Sequence, residues 1–360
     1  MTSQVLVAMS GGVDSSVAAA LLVEAGVEVV GVTMKLWGGA SDTGCCSVSD
    51  VDDARRVADH LGIDHLVFNF TDDFDRHVVA PYVADHAEGR TPNPCIECNR
   101  HLKFDRLLER AALLGFDAVA TGHHARIVHD ETCGRWELRR GADRAKDQSY
   151  VVHVMDQTRL ARVQFPVGDL TKAQVRAEAE RLGLRTASKP DSQDVCFIQR
   201  SDGRRRFLEG RIPLHAAQVV DLEGTVVGEV AAVEMVTVGQ RRGLGVPGGG
   251  DPLHVVAVDV ASRRVTVGTT RHLIRDEQAL AGLLWSDHPA GRPPAGLELE
   301  VLAQCSAHGE VAGARLHVVG EGSARLVWSE PQRVVAAGQS VVLYDLDDDR
   351  VIAGGVAVNG

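Results

Sequence analysis

Seven consecutive residues near the start of the chain, Ser10-Gly11-Gly12-Val13-Asp14-Ser15-Ser16, have the makings of a phosphate site. Gly11 and Gly12 permit a reversal that side chains would block, and the apolar run Val17 to Leu22 opens a helix directly behind them. A helix that starts in a glycine turn presents unpaired backbone N–H groups and the positive end of its dipole, and both attract an anion. The hydroxyls of Ser10, Ser15 and Ser16 add donors. No lysine follows the glycines, which excludes the Walker loop G-x-x-x-x-G-K-[ST], and the absent G-x-G-x-x-G argues against a dinucleotide fingerprint. The same residues would also serve a plain strand-to-helix turn capped by Asp14 or Ser15.

Cysteine offers the second chemistry. There are seven: Cys45, Cys46, Cys95, Cys98, Cys133, Cys196 and Cys305. The number is odd and no secretion signal precedes them, so structural disulfides are disfavoured. Cys95 and Cys98 lie in GRTPNPCIECNRHLKF, Gly89 to Phe104, where Pro92 and Pro94 predict an exposed, semi-rigid loop instead of a continuous helix. Arg90, Arg100 and Lys103 are close in sequence, and neighbouring cations raise the thiolate fraction of a thiol. A nucleophile or a metal ligand fits this setting. Cys196 ends a second polar, proline-marked loop, ASKPDSQDVCFI, Ala187 to Ile198, so only the fold can bring it to Cys98.

The elements that must position these groups alternate between strand and helix through the first half. Strands are predicted at Val5 to Met9, Val27 to Met34, His65 to Phe70 and Asp117 to Gly122. Helices are predicted from Val17, at Val48 to Leu61, Asp72 to His86, His101 to Leu114 and Lys172 to Leu182, and another after the lead Arg144 to Tyr150. This is an α/β doubly wound parallel sheet, whose ligands bind beyond the carboxyl ends of the strands. The loops starting at Ser10, Met34, Thr71 and Gly122 should therefore share one crevice, with backbone near Met34 available for adenine and Gly122 allowing close approach. After about residue 208 helical periodicity stops. Hairpins are predicted at Gln218 to Val230 and Val255 to Val267, and short strands recur from Leu283 to the end, as in a small β-barrel. The expected units are 1–208, a β-rich 209–275 and a barrel 276–360.

With 360 residues, core burial is not limiting. No apolar run approaches the roughly 18 residues of a membrane span and no signal peptide is visible, so a soluble cytoplasmic protein without a membrane partner is expected. The net charge of −11 argues against wholesale binding to nucleic acid but allows local basic patches. These occur at Arg135, Arg139, Arg140, Arg144 and Lys146, at Arg200, Arg204, Arg205 and Arg206, and at Arg241 and Arg242.

The loop SGGVDSS resembles the pyrophosphate loop of enzymes that adenylate a substrate and release pyrophosphate. Together with TPNPCIECNRHLKF, ATGHHARI, KDQSY, KPDSQDVCFI and VGQRRGLG, it resembles the tRNA-specific 2-thiouridylases, in that family's order and across nearly the whole chain. The resemblance implies replacement of the C2 oxygen of a wobble uridine by sulfur. It implies ATP bound by Ala8, Met9, Ser10, Gly11, Gly12, Val13, Asp14 and Ser15 with Met34 and Gly122, and Mg2+ on the phosphates through Asp14. Cys196 would carry a persulfide and Cys98 would release the thiolated base, leaving a Cys98 to Cys196 disulfide for a thiol reductant to reset. A cysteine desulfurase or sulfur-relay protein would load Cys196. Asn93, Pro94 and Cys95 would contact the target base and Lys146, Asp147 and Gln148 the tRNA, with His123 and Gln339 at the RNA surface.

Two departures from the family pattern stand out. Cys95 occupies a position where some members have aspartate, so an acid-base role there is in doubt. Cys95, Cys98 and Cys196 could instead hold an iron–sulfur cluster. Gln304 and Cys305 stand where members often have a basic and an aromatic residue, which weakens or moves that RNA contact. Cys45, Cys46 and Cys133 have no derived role, although adjacent cysteines could complete a zinc site with Cys95 and Cys98. The alternative from another class is a non-catalytic RNA-binding zinc protein, which would have no need of an intact SGGVDSS loop.

Overall fold

The computed structural model describes residues 3–37, 48–190, 195–198, 203–247, 250–286 and 293–359. Cys45, Cys46 and Arg200 lie outside the described residues. The chain begins with β1 (Gln4–Ala8), α1 (Val13–Glu24), β2 (Glu28–Lys35), α2 (Val48–Leu61) and β3 (His65–Asn69). Helical turns fill 71–87 and 94–113 before β4 (Ala118–Thr121). A hairpin of β5 (Ala125–Asp130) and β6 (Arg135–Arg140) follows, then two single helical turns, β7 (Val163–Gln164) and the helix Lys172–Arg181.

The first sheet has the order β3-β2-β1-β4-β7, with every neighbouring pair parallel. The doubly wound expectation holds. Strand β1 is covered on both faces: Leu6 and Ala8 enter one core with Phe74, Leu102 and Tyr150, while Val5 and Val7 enter the other with Val17, Ala19 and Val175. An almost continuous apolar run is what such a strand requires, because neither face meets water. The strand order reverses between β1 and β4, and sheets of this kind bind ligands in the crevice beyond the strand ends at such a point. The Ser10 turn and the residues Gly122 to His124 follow these two strands.

Two local expectations need correction. Residues Gly89 to Phe104 are not one loop: helix starts at Pro94 and continues through Cys98–Arg106, so Cys95 and Cys98 are helical. Proline breaks a helix interior but suits its first turn, where its missing N–H has no partner to lose. The second is the hairpin of β5 and β6, antiparallel over its full length, within a stretch whose arginines read only as a basic patch. The lead to Tyr150 opens just one turn, Ser149–Val152.

After the helix Gly203–Glu209 come β8 (Ala217–Val220), β9 (Val226–Val230), β10 (His254–Asp259) and β11 (Arg264–Gly268), a four-stranded sheet with its own core around Val219, Val233 and Val255. The last part is β12 (Ile274–Trp285), β13 (Glu298–Gln304), β14 (Val311–Gly320), β15 (Ser323–Arg333), β16 (Ser340–Tyr344) and β17 (Val351–Val358). These close a six-stranded barrel in the order β12-β15-β14-β13-β16-β17. Its first strand escaped the sequence reading because Ile274 to Glu277 are all exposed, so the period-2 signal starts late. Among the described residues, no helix is long and apolar enough to cross a membrane.

Candidate active site

The turn after β1 is held largely by itself. Met9 N–H donates to Val32 O at 2.8 Å, and the Thr33 hydroxyl donates to Met9 O at 2.8 Å, which fixes the end of the strand. Gly11 then adopts φ +71°, the left-handed region that favours glycine. Gly12 is the N-cap of α1, and no side-chain hydrogen bond caps it, the condition an anion site at a helix N-terminus requires. The serines divide their work. Ser16 Oγ donates to Gly12 O at 2.8 Å and Ser15 Oγ to the same carbonyl at 3.2 Å, while Ser10 N–H donates to Ser15 Oγ at 3.2 Å. Ser15 and Ser16 are buried and pin the turn; Ser10 is the exposed hydroxyl. Ala8, Met9, Val13 and Met34 are buried, so only their backbones can meet a ligand. A Cβ on Gly122 would sit 2.5 Å from Ser15 N and 2.6 Å from the Asp14 carbonyl carbon. The close approach that Gly122 permits is therefore to α1 itself.

Asp14 faces Lys172 and His124. Lys172 Nζ donates to both carboxylate oxygens at 2.7 Å, and His124 Nε2 lies 3.1 Å from Oδ1. Burial raises the Asp14 pKa, yet the hydrogen bonds from His124 and Lys172 with the lysine's charge outweigh it, and the carboxyl is held below its ordinary value. With both oxygens engaged, Asp14 does not fit as a magnesium ligand here. Lys172 opens the helix Lys172–Arg181, whose N-cap Thr171 and Gln174 form a capping box. The loop lacks a lysine in sequence, and the fold supplies one from this helix. The sequence places Lys172 at a helix start and His124 within the run ATGHHARI, and neither pattern points to Asp14.

Cys98 is buried in the larger core beside Ile96 and Leu102, while Cys95, a turn earlier, is exposed. Cys196 is half-buried and packs against the same core. Phe197 follows it and is 5% exposed, enclosed by Trp37, Phe74, Tyr82 and Phe207 at ring separations of 5.1 to 6.2 Å. Such contacts anchor a short segment by burial of a large ring. Upstream, Lys189 Nζ bridges Asp50 at 2.7 Å and Asp53 at 2.8 Å on α2. The described residues contain no group of three or more His, Cys, Asp or Glu able to hold a metal ion, so Cys95, Cys98 and Cys196 are not gathered as one ligand set. No step is derived through an iron–sulfur cluster.

Several residues expected at an RNA surface have internal partners. His123 is buried, with Nδ1 2.6 Å from the Thr121 hydroxyl and Nε2 3.3 Å from Lys103 Nζ; burial, then the lysine, pushes its pKa well down. Asp147 pairs with buried Arg140 at 2.8 Å and accepts the Ser149 hydroxyl at 2.7 Å. Arg140 also reaches Asp348 at 2.6 Å and Gln304 Oε1 at 2.9 Å, with its guanidinium carbon 3.7 Å from the Tyr344 ring centre. Gln304 spends its amide on Ser306 O at 2.8 Å, and Cys305 is buried enough to push its thiol up to about 12. Gln148 Oε1 accepts the His124 N–H at 2.9 Å, and Gln339 donates to Thr91 O. Asn93 caps the next helix, accepting Cys95 N–H at 3.1 Å, and Pro94 is buried at its first position. That leaves Lys146 and Cys95 exposed among these residues. The first basic patch is largely neutralised, since Arg139 pairs with Glu137 at 2.5 Å and Arg144 reaches Asp348 at 3.6 Å.

The model of the tRNA methyl transferase HUP domain matches residues 3–200, that of the tRNA methyl transferase PRC-barrel domain residues 205–269, and that of the aminomethyltransferase beta-barrel domain residues 285–357. The tRNA-specific 2-thiouridylase MnmA of Chloroflexus aggregans is 46% identical over 358 residues, 98% of each chain. That of Thermobifida fusca is 46% identical over 352 residues, 96% of this chain and 94% of the relative. Among solved structures, a 4-thiouridine synthetase in complex with RNA and ATP is 20% identical with TM-score 0.36, covering 54% of this chain and 45% of that one. On the length and identity of these matches, the chain belongs to the tRNA-specific 2-thiouridylase family.

Proposed function

We propose that the chain carries out ATP-dependent 2-thiolation of the wobble uridine in tRNA anticodons. The observation that carries this is an uncapped helix N-terminus after β1, in a chain 46% identical along 98% of its length to a 2-thiouridylase. A carbonyl oxygen at C2 is a poor leaving group and must first be activated. That oxygen attacks the α-phosphate of ATP, the bond to the β-phosphate breaks, and pyrophosphate leaves into the donors of the Ser10–Ser16 turn. Lys172 brings positive charge beside the departing phosphates and keeps Asp14 ionised.

Sulfur transfer follows at the cysteines. The terminal sulfur of a persulfide on Cys196 attacks C2, and AMP departs with the former C2 oxygen. Cys98 attacks Sγ of Cys196, the bond to the transferred sulfur breaks with its electrons going to the base, and 2-thiouridine is released. A Cys98 to Cys196 disulfide remains, and the two thiol protons pass to phosphate or solvent. An external dithiol supplies the two electrons that restore it. A desulfurase or relay protein reloads Cys196, and these reduced partners place the work in the cytoplasm. We assign adenylation and sulfur transfer to 1–208, and flanking roles to 209–275 and 276–360. A wobble base in a single-stranded loop enters such a site for a few kcal/mol at most.

The test uses an unmodified tRNA transcript with uridine at the wobble position, ATP, and glutathione persulfide as donor. Cys98→Ser and Cys196→Ser are each expected to abolish 2-thiouridine, measured by mass spectrometry of nucleosides, with tRNA binding nearly intact. Thiolation retained by either variant would overturn the mechanism.

A further inference from the structure

The helix Lys172–Arg181 touches the phosphate turn through Lys172 and the backbone of residues 187–189 through Arg176. Lys172 and Arg176 are four residues apart and so lie one turn above the other. Lys172 holds the Asp14 carboxylate of the phosphate turn. Arg176 donates to Ala187 O at 2.6 Å and to Lys189 O at 3.1 Å, the backbone of the segment that leads to Cys196. Lys189 in turn bridges Asp50 and Asp53, and the Asp50 carbonyl lies where a side chain on Gly11 would have to go. Contacts thus run in a ring: phosphate turn, Lys172, Arg176, residues 187–189, α2 and back to the turn. The capping box at Thr171 fixes where the helix begins, and so sets both side chains together.

We propose that Arg176 is a positioning residue that registers the Cys196 segment against the adenylation turn, so that the activated base meets the persulfide. This rests on the function proposed above. Adenylation needs the phosphate turn, which holds itself together through Ser15, Ser16 and Thr33. Sulfur transfer needs in addition a fixed distance between the two centres. Loss of Arg176 separates these requirements: the base is activated and pyrophosphate leaves, but sulfur does not arrive in line.

The experiment follows a single turnover of the full-length protein, preloaded with glutathione persulfide, and counts pyrophosphate and 2-thiouridine from the same sample. Wild type should give one thiolated base for each pyrophosphate. For Arg176→Ala the pyrophosphate burst is expected to persist while 2-thiouridine per pyrophosphate falls about 100-fold, the scale of a misplacement near 1 Å. Arg176→Lys, which keeps a cation with donors, should recover part of the ratio. Lys189→Met breaks the same ring elsewhere and should lower the ratio in the same sense, which covers the case in which Arg176→Ala does not fold. An unchanged ratio, or pyrophosphate and 2-thiouridine falling together in folded variants, would overturn the proposal. Wild type that makes pyrophosphate but no 2-thiouridine would instead remove the functional reading beneath it.

Discussion

The turn after β1 and the segment around Cys196 are built by opposite means. The phosphate turn takes its shape from neighbours in sequence: glycine at Gly11, and hydroxyls of Ser15 and Ser16 returned to the Gly12 carbonyl. The Cys196 segment takes its shape from distant residues, with Phe197 in a box of rings drawn from Trp37, Phe74, Tyr82 and Phe207, and Lys189 tied to α2. A self-held turn keeps its geometry when its surroundings shift, whereas a remotely held one reports on all of them. The first suits a step that recurs with each ATP. The second suits the loading and delivery of sulfur in the mechanism proposed above.

Three substitutions sharpen that contrast. The largest effect is expected from Lys172→Met, the one remote contact of the phosphate turn that carries charge. Removing it leaves the partly buried Asp14 with His124 alone, and pyrophosphate release should fall by about 100-fold to 1,000-fold, the scale of losing one oriented electrostatic group. A colorimetric pyrophosphate assay with tRNA present reads this, and a loss of only severalfold would make the turn independent of the far helix.

Phe197→Ala comes next. Emptying the ring box should cost about 3–5 kcal/mol of unfolding free energy if the first unit unfolds cooperatively. At temperatures where the variant remains folded, it should reduce thiolation more than pyrophosphate release. Equal losses in both assays would mean that the box supports the fold and not the Cys196 segment in particular. The smallest effect belongs to Ser16→Ala, which removes one bond of a turn that has others. About 1 kcal/mol of stability is expected, with a severalfold rise in the ATP concentration for half-maximal rate. A loss as large as that of Lys172→Met would show that the turn is less self-sufficient than its hydrogen bonds indicate.

The same contrast explains what could be read in the sequence. Strand, glycine turn and helix at β1 and α1 are local patterns, and the order of apolar runs gave the doubly wound sheet. Lys172 was illegible because nothing near Thr171 says that its neighbour reaches Asp14, a pairing that exists only once β1 and β4 lie side by side. Pro94 misled for a related reason: a proline stops a helix or starts one according to which side of it the turns form, and Cys98 is buried because they form after it. The arginines of β6 read as an RNA track because their partners, Asp348 and Asp349, arrive from the far end of the chain.

That last pairing has a consequence for how the protein is made. Arg140 is 6% exposed and depends on Asp348, Gln304 and Tyr344 as well as the nearby Asp147. A ribosome delivers residues 1–208 long before those partners emerge, and a charged group of this kind is costly to bury with one counterion alone. The nascent first half must keep Arg140 in water until the turn after β16 is synthesised, and its partner Asp147 waits with it. A chain cut short before Asp348 therefore lacks a seat for this arginine.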